Sequence, residues 1–233
     1  MRRDGRADDE MRSITFQRQF NDRPAGSVLV SYGSTRVLCT ACVEDGVPPW
    51  LNNQGKGWVT GEYGMLPGST NRRKARAERT GKADSRALEI SRFIGRCMRA
   101  IVDLKAIRDK TIWLDCDVLQ ADGGTRTAAL SGAYVALRDA VESVKLKTWP
   151  LRSSIAAVSV GVVKGRALLD LNYEEDSRAD VDLNVAMTGE NQFVEIQGTA
   201  EAAPFDDGAL QEMLRLARLG VASVTAKQQM AFE

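Results

Sequence analysis

The 233-residue chain contains no histidine. That absence excludes serine–histidine and cysteine–histidine nucleophile–base pairs and every histidine-ligated metal centre. Any chemistry must run on carboxylates, arginines, lysines, hydroxyls, backbone amides or a hard metal ion. Cysteine is scarce too, with only Cys39, Cys42, Cys97 and Cys116. Cys39 and Cys42 make a single C-x-x-C inside a strand-like segment, where residues three apart face opposite sides. A shared metal does not suit that spacing, and all four read as reduced thiols, mostly in or near the core. No apolar run approaches a membrane span, and the start, MRRDGRADDEMR, lacks the apolar stretch of a signal peptide. The expectation is a cytoplasmic protein with no membrane partner. Low-complexity sequence is absent, as is any linker long enough to part independent domains.

Charge is nearly balanced, with 32 Lys and Arg against 31 Asp and Glu. The total therefore says nothing of partners, but the distribution does. Residues 72–86 hold Arg72, Arg73, Lys74, Arg76, Arg79, Lys82 and Arg86 against only Glu78 and Asp84. The segment has no interleaved aromatics. It reads either as an electrostatic strip for a phosphodiester backbone or as a solvated loop.

Elsewhere the patterning is that of a globular protein, with 43% hydrophobic residues. Strands are expected at 11–20, 26–33 and 35–45, with Gly33-Ser34 as a hairpin turn. Another falls near 57–66, after a Gly-, Pro- and Asn-rich loop at 46–56. A helix runs from about Asp84 to Leu104, with Leu88, Ile90, Phe93, Ile94, Cys97, Met98 and Ile101 as its apolar stripe and Asp84 or Ser85 as its cap. An alternating strand at 111–119 leads into a second helix that ends near Val144. Four more strands and a helix beginning near Asp206 complete the chain. Strand clusters that each end in a helix imply an α+β (α/β-like) fold, with mixed sheets and helices packed against them. The recurrence in each half suggests internal duplication.

Two places carry chemistry. The first is ADGGTRTAAL, at 121–130. Gly123 and Gly124 allow positive φ and close backbone approach, the amides after them open a helix, Thr125 adds a hydroxyl and Arg126 a planar fork. This is not a P-loop, since no lysine follows the glycines. It reads as an oxyanion cradle or as a tight turn with a threonine cap. The second is DLNYEEDSRADVDLNVAM, at 170–187. There Asp180, Asp182 and Asn184 alternate with Val181, Leu183 and Val185, and Asp176 lies in the loop just before. Carboxylates gathered on one edge repel one another unless neutralised, and magnesium suits them. The other reading is a solvated strand face.

Taken together, RRDGRADDEMR, GSVLVSYGSTRVLCTACVEDGVP, QGKGWVTGEYGMLPGST, LEISRFIGRCMRAIVDL, LDCDVLQADGGTRTAALSGAYVAL and YEEDSRADVDLNVAMTG resemble, in order, the ribonuclease PH family of phosphate-dependent 3′→5′ exoribonucleases. The resemblance implies duplicated βαβ units within a single ribonuclease PH domain over 1–233, and a homo-hexameric ring built as a trimer of dimers. It implies that Gly124, Thr125 and Arg126 bind inorganic phosphate as co-substrate, with help from Arg86. Asp176 and Asp182 would hold Mg2+, with Asp180 in support; Asp176, Asp182 and Arg126 would be the catalytic set. Arg72, Arg73, Arg76 and Arg79 would grip the RNA. The activity implied is phosphorolytic, reversible trimming of the 3′ ends of tRNA precursors and other structured RNA such as ribosomal RNA, with release of nucleoside 5′-diphosphates. The alternative implied is a non-catalytic RNA-binding subunit of an exosome-like ring. Gly68 departs from the family, which often has a basic residue there.

Overall fold

The computed structural model describes residues 2–75, 84–201 and 203–233. Arg76, Arg79 and Lys82 of the basic segment lie outside the described residues. Among the described residues nine strands form two sheets. The first, ordered β1-β2-β3-β5-β4, comprises β1 (Ile14–Arg18), β2 (Gly26–Tyr32), β3 (Thr35–Asp45), β4 (Trp58–Met65) and β5 (Lys110–Gln120). The second, ordered β7-β6-β8-β9, comprises β6 (Ile155–Val163), β7 (Arg166–Leu169), β8 (Val181–Thr188) and β9 (Phe193–Ala200). Gly33-Ser34 is the β2–β3 turn, with Tyr32 paired to Thr35. Helix α1 (Ser85–Ile101) crosses over between β4 and β5, which run parallel; the other strand pairs are antiparallel. Each sheet is followed by its helix, α2 (Thr125–Ser143) and α4 (Asp207–Phe232); the short α3 (Tyr173–Asp176) links β7 to β8.

The periodicities explain the layers. In α1 the residues at Ile90, Phe93, Ile94, Cys97, Met98 and Ile101 are buried while Arg92 and Arg96 face out, the 3.6-residue stripe of a half-covered helix. Leu88, expected on that stripe, is 45% exposed because it lies in the first turn beyond the sheet's cover. Helix α2 is buried almost all round, since it packs on β2, β3 and β5 of one sheet and on β6 of the other. Small residues permit that approach: a Cβ on Gly132 would sit 2.6 Å from a Val30 methyl and 2.8 Å from Cys39 Sγ. Helix α4 is fastened alongside by buried Gln228, whose amide donates to the carbonyls of Ser131 and Ile155, both at 3.0 Å. The four cysteines are free, with Cys39, Cys97 and Cys116 buried and Cys42 on the opposite face of β3. Among the described residues no helix is long and apolar enough to cross a membrane.

Candidate active site

The corner between β5 and α2 is a bare-backbone turn. Gly123 and Gly124 both have positive φ, 74° and 63°. A Cβ on Gly123 would lie 2.5 Å from the Leu171 carbonyl oxygen and 2.8 Å from the Tyr173 nitrogen, so only glycine lets the β7–α3 loop rest against the turn. Thr35 fixes the corner from below: its hydroxyl donates to the Gly123 carbonyl (2.7 Å) and accepts from the Asp122 amide (2.9 Å). Helix α2 then begins with Gly124 at the N-cap and no side chain capping it. The other three helices are capped by their own Asp84, Asn172 and Asp206. The open start of α2 presents amide donors and the positive end of the helix dipole. The hydroxyl of Thr125 accepts a hydrogen bond from the buried Tyr63 phenol at 2.8 Å, which aims its own proton elsewhere. Thr127 turns inward to the Gly124 carbonyl.

A cleft of about 620 Å³ opens over this corner, with Arg86, Gly124, Thr125 and Asp176 on its wall and Arg72 and Lys74 at its rim. Arg86 comes from the first turn of α1, where the Asp84 side chain accepts from the Arg86 and Ala87 amides. Arg73, between Arg72 and Lys74 in the chain, is exposed. Gly68 is exposed, with nothing within 4 Å of the position its Cβ would take.

Asp176 closes α3, and Asp182 projects from β8. Burial lifts the pKa of Asp176 against the charges of Arg86, Arg126 and Arg12. Burial and the charge of Asp176 push that of Asp182 up to about 6, against Arg126 and a hydrogen bond from Asn184. Asp176 therefore feels both Arg86 and Arg126, and Asp182 feels Arg126 and Asp176. Asp182 Oδ2 accepts from Asn184 Nδ2 at 3.2 Å, whereas its Oδ1 is buried without a partner. An orphaned carboxylate oxygen beside a second acid suits a divalent cation, so the pair fits Mg2+. Arg126 is drawn by Nη1 to Gln197 (2.6 Å) and to Glu89 (3.3 Å to Oε2), which leaves the rest of its fork for an anion. Neither Arg126 nor Asp182 lines the cleft itself; both stand beside it.

The three-acid edge expected from the sequence contracts to a pair. The charges that raise Asp182 are Asp176 and Glu201, not Asp180, which precedes the strand and pairs its backbone with Val162 and Glu201. Among the described residues no three Cys, Asp or Glu side chains converge to hold a metal.

A clamp from the chain start joins the two halves. Arg12 and Asp170 form a buried ion pair, with Nη2 to Oδ1 at 2.7 Å and Nε to Oδ2 at 2.9 Å. Arg12 Nη1 also donates to the Asp122 carbonyl on the glycine turn. Burial opposes the charge on Arg12, but the Asp170 carboxylate prevails and holds its pKa above the ordinary value. Arg2 grips Glu175 through two bonds (2.7 and 2.6 Å) and donates to the Leu169 and Asp170 carbonyls. The loop that carries Asp176 is thereby locked to the glycine corner. Sequence reasoning missed Arg12, Asp170, Tyr63 and Tyr173 as parts of the site, because their partners lie far along the chain and leave no local pattern.

The architecture has known relatives. Rice (Oryza sativa) Rrp46 matches with a TM-score of 0.83 at 17% identity, covering 100% of both chains. A chain of the Archaeoglobus fulgidus exosome, solved with RNA bound to the active site, matches at 0.82 and 22% identity over 97% of this chain and 92% of that one. A chain of an archaeal exosome core matches at 0.76 and 22% identity over 99% and 90%. The profile of the 3′ exoribonuclease family, domain 1, matches residues 10–141, and that of domain 2 matches 153–219. The chain belongs to the 3′ exoribonuclease, or ribonuclease PH, family.

Proposed function

We infer that this protein is a phosphate-dependent 3′→5′ exoribonuclease that trims tRNA precursors and other RNA 3′ ends. One observation carries the reading. An uncapped helix start is flanked by Arg86 and Arg126, whose charges reach an acid pair with one buried oxygen that lacks a partner. Such an arrangement serves two negatively charged reactants that must meet.

Inorganic phosphate would sit on the α2 amides and the Thr125 hydroxyl, with the Arg126 and Arg86 guanidiniums neutralising and aiming it. Its oxygen attacks the phosphorus of the last nucleotide; the 3′-oxygen of the preceding ribose leaves and takes a proton. The product is a nucleoside 5′-diphosphate and an RNA shortened by one residue. Asp176 and Asp182 would hold Mg2+, which when bound supplies charge stabilisation at the reacting phosphate. Positioning and electrostatics carry the acceleration, so a chain without histidine suffices. One phosphoester is exchanged for a diphosphate linkage, which makes the step reversible. The two halves, clamped by Arg12 and Asp170, would act as one catalytic domain over 1–233, within a homo-hexameric ring. Arg72 at the rim, with Arg73, Arg76 and Arg79, would hold the RNA backbone.

A second reading follows from the solved structures, two of which come from archaeal exosomes: an RNA-binding ring subunit without activity. One assay separates the two. A 3′-extended tRNA is incubated with and without phosphate and the mononucleotides are identified. Nucleoside diphosphates formed only with phosphate support the enzyme. Bound but intact RNA supports the inactive subunit, and monophosphates formed without phosphate contradict both.

A further inference from the structure

Tyr173 has no part in the chemistry above, yet it is the single aromatic among the described residues that line the cleft. It is 59% exposed, an uncommon setting for a large ring beside guanidiniums. Its anchor is firm. Tyr173 opens α3, behind an Asn172–Glu175 capping box, and its amide donates to Asp122 Oδ1 at 3.3 Å. The same nitrogen lies where a Gly123 side chain would collide, so the residue is seated directly on the glycine turn. Asp176 follows three residues later on the same short helix. The ring thus rises from a rigid point between the turn and the acid pair. Arg72, Lys74, Arg86 and the Gly124–Thr125 corner suit phosphate charge, and the other lining residues, Met65 and Asp176 among them, offer no ring for a base.

We propose that Tyr173 is the stacking platform for the nucleobase of the 3′-terminal nucleotide, a contact that holds the last phosphodiester over the corner. The proposal rests on the exoribonuclease reading and adds the base-recognition element that reading lacks. Stacking uses the π-face common to all bases, so it tolerates any terminal nucleotide. A stacked terminal base must be splayed from any pairing partner, so the contact would favour an unpaired end.

The test uses a short single-stranded RNA carrying 2-aminopurine at its 3′ end, with phosphate withheld. Stacking quenches that fluorophore, and anisotropy of a 5′ label reports binding independently. Wild-type protein should quench the terminal probe on binding. Tyr173→Ala should lose the quench at saturation and bind about tenfold more weakly. Tyr173→Phe should keep both. The assignment is overturned if Tyr173→Ala quenches like wild type, or if Tyr173→Phe loses as much as Tyr173→Ala, which would mean a hydroxyl contact. It is also overturned if a probe moved upstream responds to Tyr173→Ala as strongly as the terminal one, or if Tyr173→Ala alters only the oligomeric state. Loss of phosphorolysis alone leaves the quench unaffected, so failure of the exoribonuclease reading and failure of this assignment give different results.

Discussion

Two helix starts face the same cleft and are built in opposite ways. At α1 the Asp84 carboxylate takes the amides of Arg86 and Ala87 at 3.1 and 3.2 Å. At α2 the N-cap is Gly124 in the left-handed region, and no side chain supplies an acceptor. A cap typically stabilises a protein by about 1 kcal/mol, so an uncapped and largely buried helix gives up stability in exchange for a vacant set of donors. The first start is scaffold that projects Arg86; in the proposed reaction the second would be the phosphate receptor. The difference teaches that a candidate ligand site can be read from hydrogen bonds the chain leaves unmade, as at the Asp182 oxygen beside the cleft.

The largest effect tests the receptor itself. Arg126→Ala should lower the phosphorolysis rate roughly 100- to 1000-fold while RNA affinity, measured without phosphate, changes little. An equal loss of RNA binding would place Arg126 in RNA gripping instead. Next comes conversion of the open start into a charged one. Gly124→Asp should raise the KM for phosphate by about tenfold or more through charge at the anion seat, and Gly124→Asn should separate that from steric strain, since both side chains tolerate left-handed φ. Equal effects of the two would show that geometry, not charge, governs the corner.

The acid pair gives the next effect through pH. Asp182 is raised from an ordinary 3.8 to about 6, so the folded state holds its proton more tightly than the unfolded one. Its contribution to stability is then most favourable below pH about 4 and declines as pH rises toward 6, by on the order of 2–3 kcal/mol. Mg2+ should offset that decline, so its stabilisation of the Tm should be small at pH 5 and larger at pH 7. Asp182→Asn should flatten the profile, and a Mg2+ effect independent of pH would contradict the assignment. A smaller change is expected in the basic segment: neutralising Arg72 and Arg73 together should weaken RNA binding and reduce the salt slope by about one to two. The smallest concerns the closed start. Asp84→Ala should cost about 1 kcal/mol of stability, read from denaturant unfolding, with a far smaller change in phosphate KM than at Gly124.

Much of this was legible in the sequence where the determinants are local. The Gly33-Ser34 turn and the glycine corner follow from backbone geometry that few residues can adopt, and the Asp84 cap from a short side chain that accepts the first free amides. Helix α1 runs nearly as its stripe implies, apart from exposed Leu88. The rest depends on contacts between distant segments. Tyr63 reaches Thr125 across 62 positions, and Arg12 reaches Asp170 across 158, so no period or spacing announces them. Tyr173 went unassigned because an aromatic in an acidic loop carries no pattern until the loop is folded onto the turn.

The central claim is that the open helix start and the acid pair serve one reaction, with phosphate as the attacking group. Its most direct test supplies radiolabelled inorganic phosphate with unlabelled RNA and locates the label in the released nucleotide. The account predicts label in the β-phosphate of the nucleoside diphosphate, lost in Asp176→Asn, Asp182→Asn and Arg126→Ala alike. RNA shortened with the label left wholly in free phosphate would contradict it.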